Sequence, residues 1–209
     1  MIFKSIIHTC QQLEKNFEDI PTDRQITLHK LSLYMAKQLE TTGITKVITI
    51  CTHNSRRSHF AQIWLALGAS YYGINGVQAF SGGTAVTAFN LNAVRALKNV
   101  GFSIYCHNKE VENPVYWVKW QEDGLGLKAF SKLYDDAATN PINDFAAVLV
   151  CNDADSACPV VLNANFRVLL PFDDPKAFDL SPLKNREYQK RCLQIGREML
   201  FVLKEVKNI

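Results

Sequence analysis

Residues 47–61, reading Val-Ile-Thr-Ile-Cys-Thr-His-Asn-Ser-Arg-Arg-Ser-His-Phe-Ala, constrain this chain more than any other stretch. Val47, Ile48, Thr49 and Ile50 are β-prone and lead into Cys51. A polar loop follows, and Arg57-Ser58 opens a run in which Phe60, Trp64 and Leu67 recur at helical spacing. The pattern is strand, loop, helix. Such a loop aims several backbone N–H groups at one point, where the helix dipole also favours negative charge, so it suits an oxyanion. Thr52, His53, Asn54, Ser55, Arg56 and Arg57 are the candidate oxyanion-binding residues. Cys51 lies in the same field, as a nucleophilic thiolate requires, and the Arg57 guanidinium can return over the anion as a two-pronged donor. Ser58 can give the sulfur a hydroxyl hydrogen bond, and Asn54 tolerates left-handed backbone or ties a loop through its amide. The competing reading is a buried structural cysteine that happens to precede a helix.

At 209 residues and 47% hydrophobic composition the chain can bury a full core in one domain with an extension. Its 23 basic and 20 acidic residues leave +3, too weak and dispersed a charge to favour nucleic acid or an anionic membrane. Residues 1–10 lack a cleavable apolar core and no uninterrupted apolar span reaches membrane length, so the expected location is cytoplasmic. The six cysteines, Cys10, Cys51, Cys106, Cys151, Cys158 and Cys192, are not a disulfide scaffold in a chain of this size. Each is a buried small hydrophobe, a ligand or a reactive thiol. There is no Cys-x-x-Cys and no His-Glu-x-x-His, so neither a metal nor a cofactor is expected.

Before the first strand, Phe3, Ile6, Ile7, Cys10, Leu13, Phe17 and Ile20 repeat with helical period. Pro21-Thr22-Asp23 then reads as a stop and a cap, and Leu28, Leu31, Met35 and Leu39 continue the period to Gly43. Residues 1–44 are therefore an N-terminal helical extension, and 45–209 the main domain. A second strand is expected at 77–81, a helix at 93–100 stopped by Gly101, a central strand at 145–150 and another at 166–170. Alternating strands and helices imply a parallel sheet. Residues 108–143 interrupt this order and read as an inserted β-hairpin, with Asp123-Gly124 at its turn. Ser181-Pro182 is read as the cap of a long last helix that buries Cys192.

The spacing Cys-x-x-Asn-x-x-Arg-Ser at 51–58 resembles the phosphate loop of low-molecular-weight protein tyrosine phosphatases and of the arsenate reductases built on the same fold. Two positions depart from that pattern: His53 stands where the family usually has Gly, and Arg56 where it often has a second Cys. Ser81-Gly82-Gly83 is similar to the family's Ser-Ala-Gly after its second strand. Asp174-Pro175 resembles the family's Asp-Pro, whose carboxyl group protonates the departing oxygen. Cys151-Asn152-Asp153-Ala154-Asp155-Ser156-Ala157-Cys158-Pro159 resembles the redox segment of thioredoxin-coupled arsenate reductases, which the phosphatases lack. The resemblance spans roughly residues 47–206, apart from the insertion, and implies a three-layer α/β/α fold around a central parallel sheet.

It further implies arsenate reduction through Cys51, Arg57, Ser58, Asp174, Cys151 and Cys158. Cys51 would attack arsenic, Asp174 would protonate the leaving oxygen, and Cys151 and Cys158 would pass a disulfide to thioredoxin. One physical constraint bears on that pair. Cysteines seven apart on an intact helix lie about 10 Å apart along its axis, beyond the roughly 7 Å a disulfide allows between Cα atoms. Oxidation would therefore open a short helix, and Asn152, Asp153 and Asp155 are weak helix formers. The alternatives are a tyrosine phosphatase working through a phosphocysteine, marked by an aromatic wall from Tyr116, Trp117 or Trp120, and a non-catalytic oxyanion or redox sensor.

Overall fold

The structure is a computed structural model and describes residues 1–151 and 161–209. Four parallel strands form the central sheet in the order β2 (Val77–Gly83), β1 (Thr45–Cys51), β6 (Phe145–Leu149), β7 (Ala164–Leu169). Val47, Ile48, Thr49 and Ile50 are all buried, as are all five residues of β6, because parallel strands covered on both faces have no solvent side. Since the strands are parallel, Cys51, Gly83, Leu149 and Leu169 all end on one edge. The edge is laced together beyond the strands: Val150 N donates to Ile50 O (2.9 Å) and Phe172 N to Val150 O (3.1 Å).

Helix α3 (Arg57–Tyr72) follows β1, and α4 (Leu91–Val100) follows β2, capped by the Asn90 side chain and stopped by Gly101 at φ 118°. The expected one-sided apolar stripe on α3 is not what is observed, because every residue from Arg57 to Leu65 is buried. The reason is the last helix, α5 (Lys184–Asn208), which packs along the outer side of α3. Gly196 makes the approach possible, since a Cβ there would lie 2.5 Å from the Trp64 ring. This helix starts at Lys184 and not at Ser181-Pro182. Ser181 Oγ instead accepts from Leu183 N and its carbonyl from Lys184 N, both 3.1 Å, closing a separate turn ahead of the helix.

The N-terminal hairpin is α1 (Lys4–Glu14) and α2 (Thr22–Thr42). α2 packs on β1 and α5, and α1 on α5. The Thr22 start carries no side-chain cap; Pro21 lends its carbonyl to Gln25 N (2.9 Å) instead. A second, antiparallel sheet is formed by β3 (Ser103–Cys106), β4 (Tyr116–Lys119) and β5 (Leu127–Ala129). The expected hairpin is β4 and β5, with Gly124 at φ 89° between them; β3 was not legible as a strand. From β5 the chain returns to the main sheet, where Gly83 exchanges hydrogen bonds with Lys132 O (2.9 Å) and Tyr134 N (3.0 Å). Among the described residues no helix is long and apolar enough to cross a membrane.

Candidate active site

The loop between β1 and α3 wraps back on Cys51. Asn54 takes φ 43°, the one left-handed residue of the loop, so His53 needs no glycine-like backbone. The loop carbonyls are tied outward: Thr52 O accepts from Ala85 N (2.8 Å), His53 O from Ser131 Oγ (2.9 Å) and Ser55 O from Asn90 N (2.9 Å). The N–H groups of residues 53–56 donate to no other group among the described residues. Gly83 lies against this turn so closely that a Cβ would meet Asn54 N at 2.7 Å and Thr52 O at 2.8 Å. The strand after the loop's neighbour therefore has to present glycine.

Cys51 is 4% exposed, and its Sγ lies 3.1 Å from Ser58 Oγ. Asn54 Nδ2 donates to that same Ser58 oxygen (2.9 Å), which leaves the serine's own proton to point at the sulfur. Asn54 Oδ1 accepts from Lys132 N (3.0 Å), so the amide is held at both ends. Arg57 donates through Nη1 to Phe172 O (2.9 Å) and through Nη2 to Asp174 Oδ2 (2.7 Å). Its Nε is buried without a partner among the described residues, a donor left for an anion in the loop. Asp174 also caps the turn at Pro175–Phe178 through Lys176 N (3.0 Å), so it both starts a turn and faces the arginine. Asp173 points elsewhere, to Arg191 Nη2 at 2.7 Å, and is 94% exposed.

Arg56 does not turn its guanidinium into the loop. Nε donates to Tyr188 Oη (2.7 Å) and Nη2 to Asp179 Oδ2 (3.3 Å), while Tyr188 donates to Asp179 (2.7 Å). Thr52 Oγ1 lies 3.6 Å from the sulfur of Cys151, which is buried two residues beyond the end of β6. The loop and the second cysteine thus share an edge of the sheet. Cys158 and the short helix expected at residues 152–160 lie outside the described residues. Cys10 and Cys192 are core residues, and burial pushes both thiols up to about 12. Ser131 and Asn113, which brace the loop from the β4–β5 side, were missed by the sequence; Asn113 and Ser131 bond each other twice (2.7 and 3.1 Å).

A cavity of about 430 Å³ adjoins the loop, walled by His53, Ser55, Arg56, residues 87–91 and Lys176. None of Tyr116, Trp117 and Trp120 lines it. Tyr116 is buried instead, its ring edge-on to Phe89 at 5.6 Å. A larger cavity of about 850 Å³ lies at the opposite edge of the sheet, among Leu33, Leu39, Ile74 and Val206, and no cysteine lines it.

No family model matches the chain. An arsenate reductase of Brevibacillus brevis is 32% identical over 126 residues, covering 60% of this chain and 73% of that protein. The chain belongs to the arsenate reductase family built on the low-molecular-weight phosphatase fold. Arsenate reductase 2 of Staphylococcus haemolyticus, from the same family, is 30% identical over 128 residues, 60% of this chain and 75% of its own. The fold of the family extends to a low-molecular-weight phosphotyrosine phosphatase from Vibrio cholerae O395, with a TM-score of 0.50 at 19% identity, over 77% of this chain and 95% of that one.

Proposed function

We propose that this protein reduces arsenate to arsenite through a three-thiol relay. Arsenate is held by the loop N–H groups and Arg57. The Cys51 thiolate attacks arsenic, Asp174 in its protonated form gives its proton to a departing hydroxyl group, and water leaves. Ser58, oriented by Asn54, steadies the sulfur. Cys151 then attacks the Cys51 sulfur. The electron pair of the S–As bond goes to arsenic, As(V) becomes As(III), and arsenite departs from a Cys51–Cys151 disulfide. Cys158 attacks Cys151, which frees the Cys51 thiolate. The resulting 151–158 disulfide takes two electrons from a dithiol reductant, for which thioredoxin is the proposed partner.

The observation that carries this reading is the second cysteine at the loop: Cys151 follows the neighbouring strand β6, and its sulfur lies 3.6 Å from Thr52 Oγ1 of the Cys51 turn. Tyr116, Trp117 and Trp120, the aromatic wall that would mark a phosphotyrosine site, do not line the adjoining cavity, although Phe89 does. The test is arsenate-dependent oxidation of NADPH with thioredoxin and thioredoxin reductase, run beside p-nitrophenyl phosphate hydrolysis. Arsenate-dependent turnover lost in Cys51→Ser, Cys151→Ser and Cys158→Ser supports the relay. Ester hydrolysis that survives loss of both Cys151 and Cys158, with no arsenate signal, means a phosphatase. No turnover in either assay, with phosphate still protecting Cys51 from alkylation, means a sensor.

A further inference from the structure

Arg56 and Arg57 are neighbours in the loop, and each holds one end of the same short turn, Pro175–Phe178. Asp174, at the start of the turn, accepts from Arg57 Nη2 (2.7 Å), and Asp179, at its end, accepts from Arg56 Nη2 (3.3 Å). Three further hydrogen bonds tighten the second end. Arg56 Nε donates to Tyr188 Oη (2.7 Å), Tyr188 Oη to Asp179 Oδ1 (2.7 Å), and Asn92 Nδ2 to the same oxygen (3.4 Å). Tyr188 is buried on α5 and Asn92 lies in the first turn of α4, so Asp179 is fastened to the loop and to two helices at once. Burial and the bond to Asp179 push the Tyr188 pKa up to about 12, so the hydroxyl keeps the proton it donates.

The reaction asks different things of the two ends. To give a proton, Asp174 has to be neutral, and a neutral carboxyl group holds an arginine far less strongly than a carboxylate does. Arg57 must also meet the anion, for which its Nε, buried without a partner among the described residues, is left over. The Arg57–Asp174 pair is therefore weakest when the acid is used. Ahead of Asp174 the chain is fixed by Phe172, whose N donates to Val150 O (3.1 Å). Beyond it, the turn is tied to the loop by the Arg56–Asp179 pair, in which neither member gives up its charge during the reaction. The 30% and 13% exposure of the Asp179 and Arg56 side chains leaves that attraction only partly screened by water.

We propose that Arg56, Tyr188 and Asp179 form a clasp that keeps the proton donor Asp174 in place over the loop while Arg57 serves the anion. They are positioning residues, acting through the turn. The clasp rests on the reading of Asp174 as the acid of the reaction. The test is a double-mutant cycle in the full-length protein, read as the rate at which saturating arsenate consumes the Cys51 and Cys151 thiols in a single turnover without reductant, which stays measurable over hours in slow variants. Asp174→Asn removes the acid and should slow this step about a hundredfold. Asp179→Ala should slow it roughly tenfold, the mark of a misplaced acid, while phosphate protection of Cys51 from iodoacetamide stays within about twofold. Tyr188→Phe, which loses the bridging hydroxyl and keeps the ring, should slow it about fivefold. Added to Asp174→Asn, neither change should cost more than about 1.5-fold, because no acid is left to misplace.

A tie that only supports the fold would slow the step by the same factor in both backgrounds, and that result overturns the clasp, as does an unchanged rate in Asp179→Ala. Phosphate protection that weakens along with the rate places the effect in the loop and overturns it too. Should Asp179→Ala not fold, Tyr188→Phe decides by the same cycle. If arsenate consumes no thiols in the unmutated protein but phenyl phosphate is hydrolysed, the arsenate reading fails and the clasp is decided by the same cycle on that ester, whose poor leaving group needs the proton. If Asp174→Asn is as fast as the unmutated protein, Asp174 is not the acid and the clasp falls with that role.

Discussion

Asn54 carries two demands at once: left-handed backbone at φ 43°, and an amide bonded to Ser58 Oγ and Lys132 N. Asn54→Ala fails both. Two buried partners lose a hydrogen bond, at about 1–3 kcal/mol, and a Cβ-bearing residue without a polar side chain enters the left-handed region, at about 1–2 kcal/mol more. Asn54→Gly should recover the second cost but not the first, and arsenate turnover should be lost in both, since Ser58 is no longer oriented. Urea midpoints and turnover on the two variants check this; equal stability would mean the backbone of the loop is not held by residue 54. His59 makes a second prediction at this scale. Its folded pKa, lowered to about 3 by burial, lies below the ordinary 6.5, so the unfolded chain binds the extra proton in that window. Stability should fall as pH drops from about 6.5 toward 3, at up to about 1.4 kcal/mol per pH unit from this group. In His59→Phe that limb of the urea midpoint against pH should be shallower.

Among the elements, α3 and α5 meet where Trp64 lies on Gly196. Gly196→Ala places a methyl 2.5 Å from the indole, so one helix must shift, at about 1–3 kcal/mol, despite alanine's better helix propensity. A thermal midpoint that rises would show that the contact has room to give. The pairing of these two helices was only half legible in the sequence. The apolar positions Phe60, Trp64 and Leu67 gave one face of α3, whereas the burial of its remaining positions comes from packing between the sheet strands β1 and β2 and a helix more than a hundred residues later. The strand–loop–helix at 47–72 was readable because its periods and its Cys, Asn and Arg are local. β3 was not, since in Ser103–Cys106 only Ile104 is buried and the strand exists through its pairing with β4. The bracing of the loop by Ser131 and Lys132 spans 78 residues and leaves no local pattern. Arg56 shows the same limit. Its place in the loop suggested an anion ligand, but Tyr188, 132 residues away, takes its guanidinium.

For the molecule as a whole, the N-terminal hairpin is joined to the site through Arg24 of α2. Its Nε donates to Glu198 Oε2 of α5 at 2.7 Å, with 18% and 3% of the two side chains exposed. Its guanidinium carbon also stands 4.5 Å from the Phe172 ring centroid, and Phe172 O is an acceptor for Arg57. The hairpin therefore reaches Arg57 by way of one aromatic residue. Burial raises the Glu198 pKa and Arg24 offsets part of that rise. Arg24→Met leaves a buried carboxylate unpaired and should destabilise by about 3 kcal/mol, the lower end for a broken buried pair because Arg24 keeps some exposure. A folded-state pKa above the unfolded value means the folded protein holds the extra proton. Stability from this group is thus present below about 4.5 and lost as pH rises through the raised value. The deficit of Arg24→Met should accordingly be smaller at pH 5 than at pH 8. Arg24→Met with Glu198→Leu should regain most of the stability, because the unpaired charge is gone. Turnover should not return with it, since Phe172 still lacks the guanidinium that stacks on its ring. Urea midpoints at both pH values and arsenate turnover across the double-mutant cycle separate the two effects. A double mutant no more stable than Arg24→Met would assign the loss to stacking on Phe172. One that regains full turnover would disconnect the hairpin from the site.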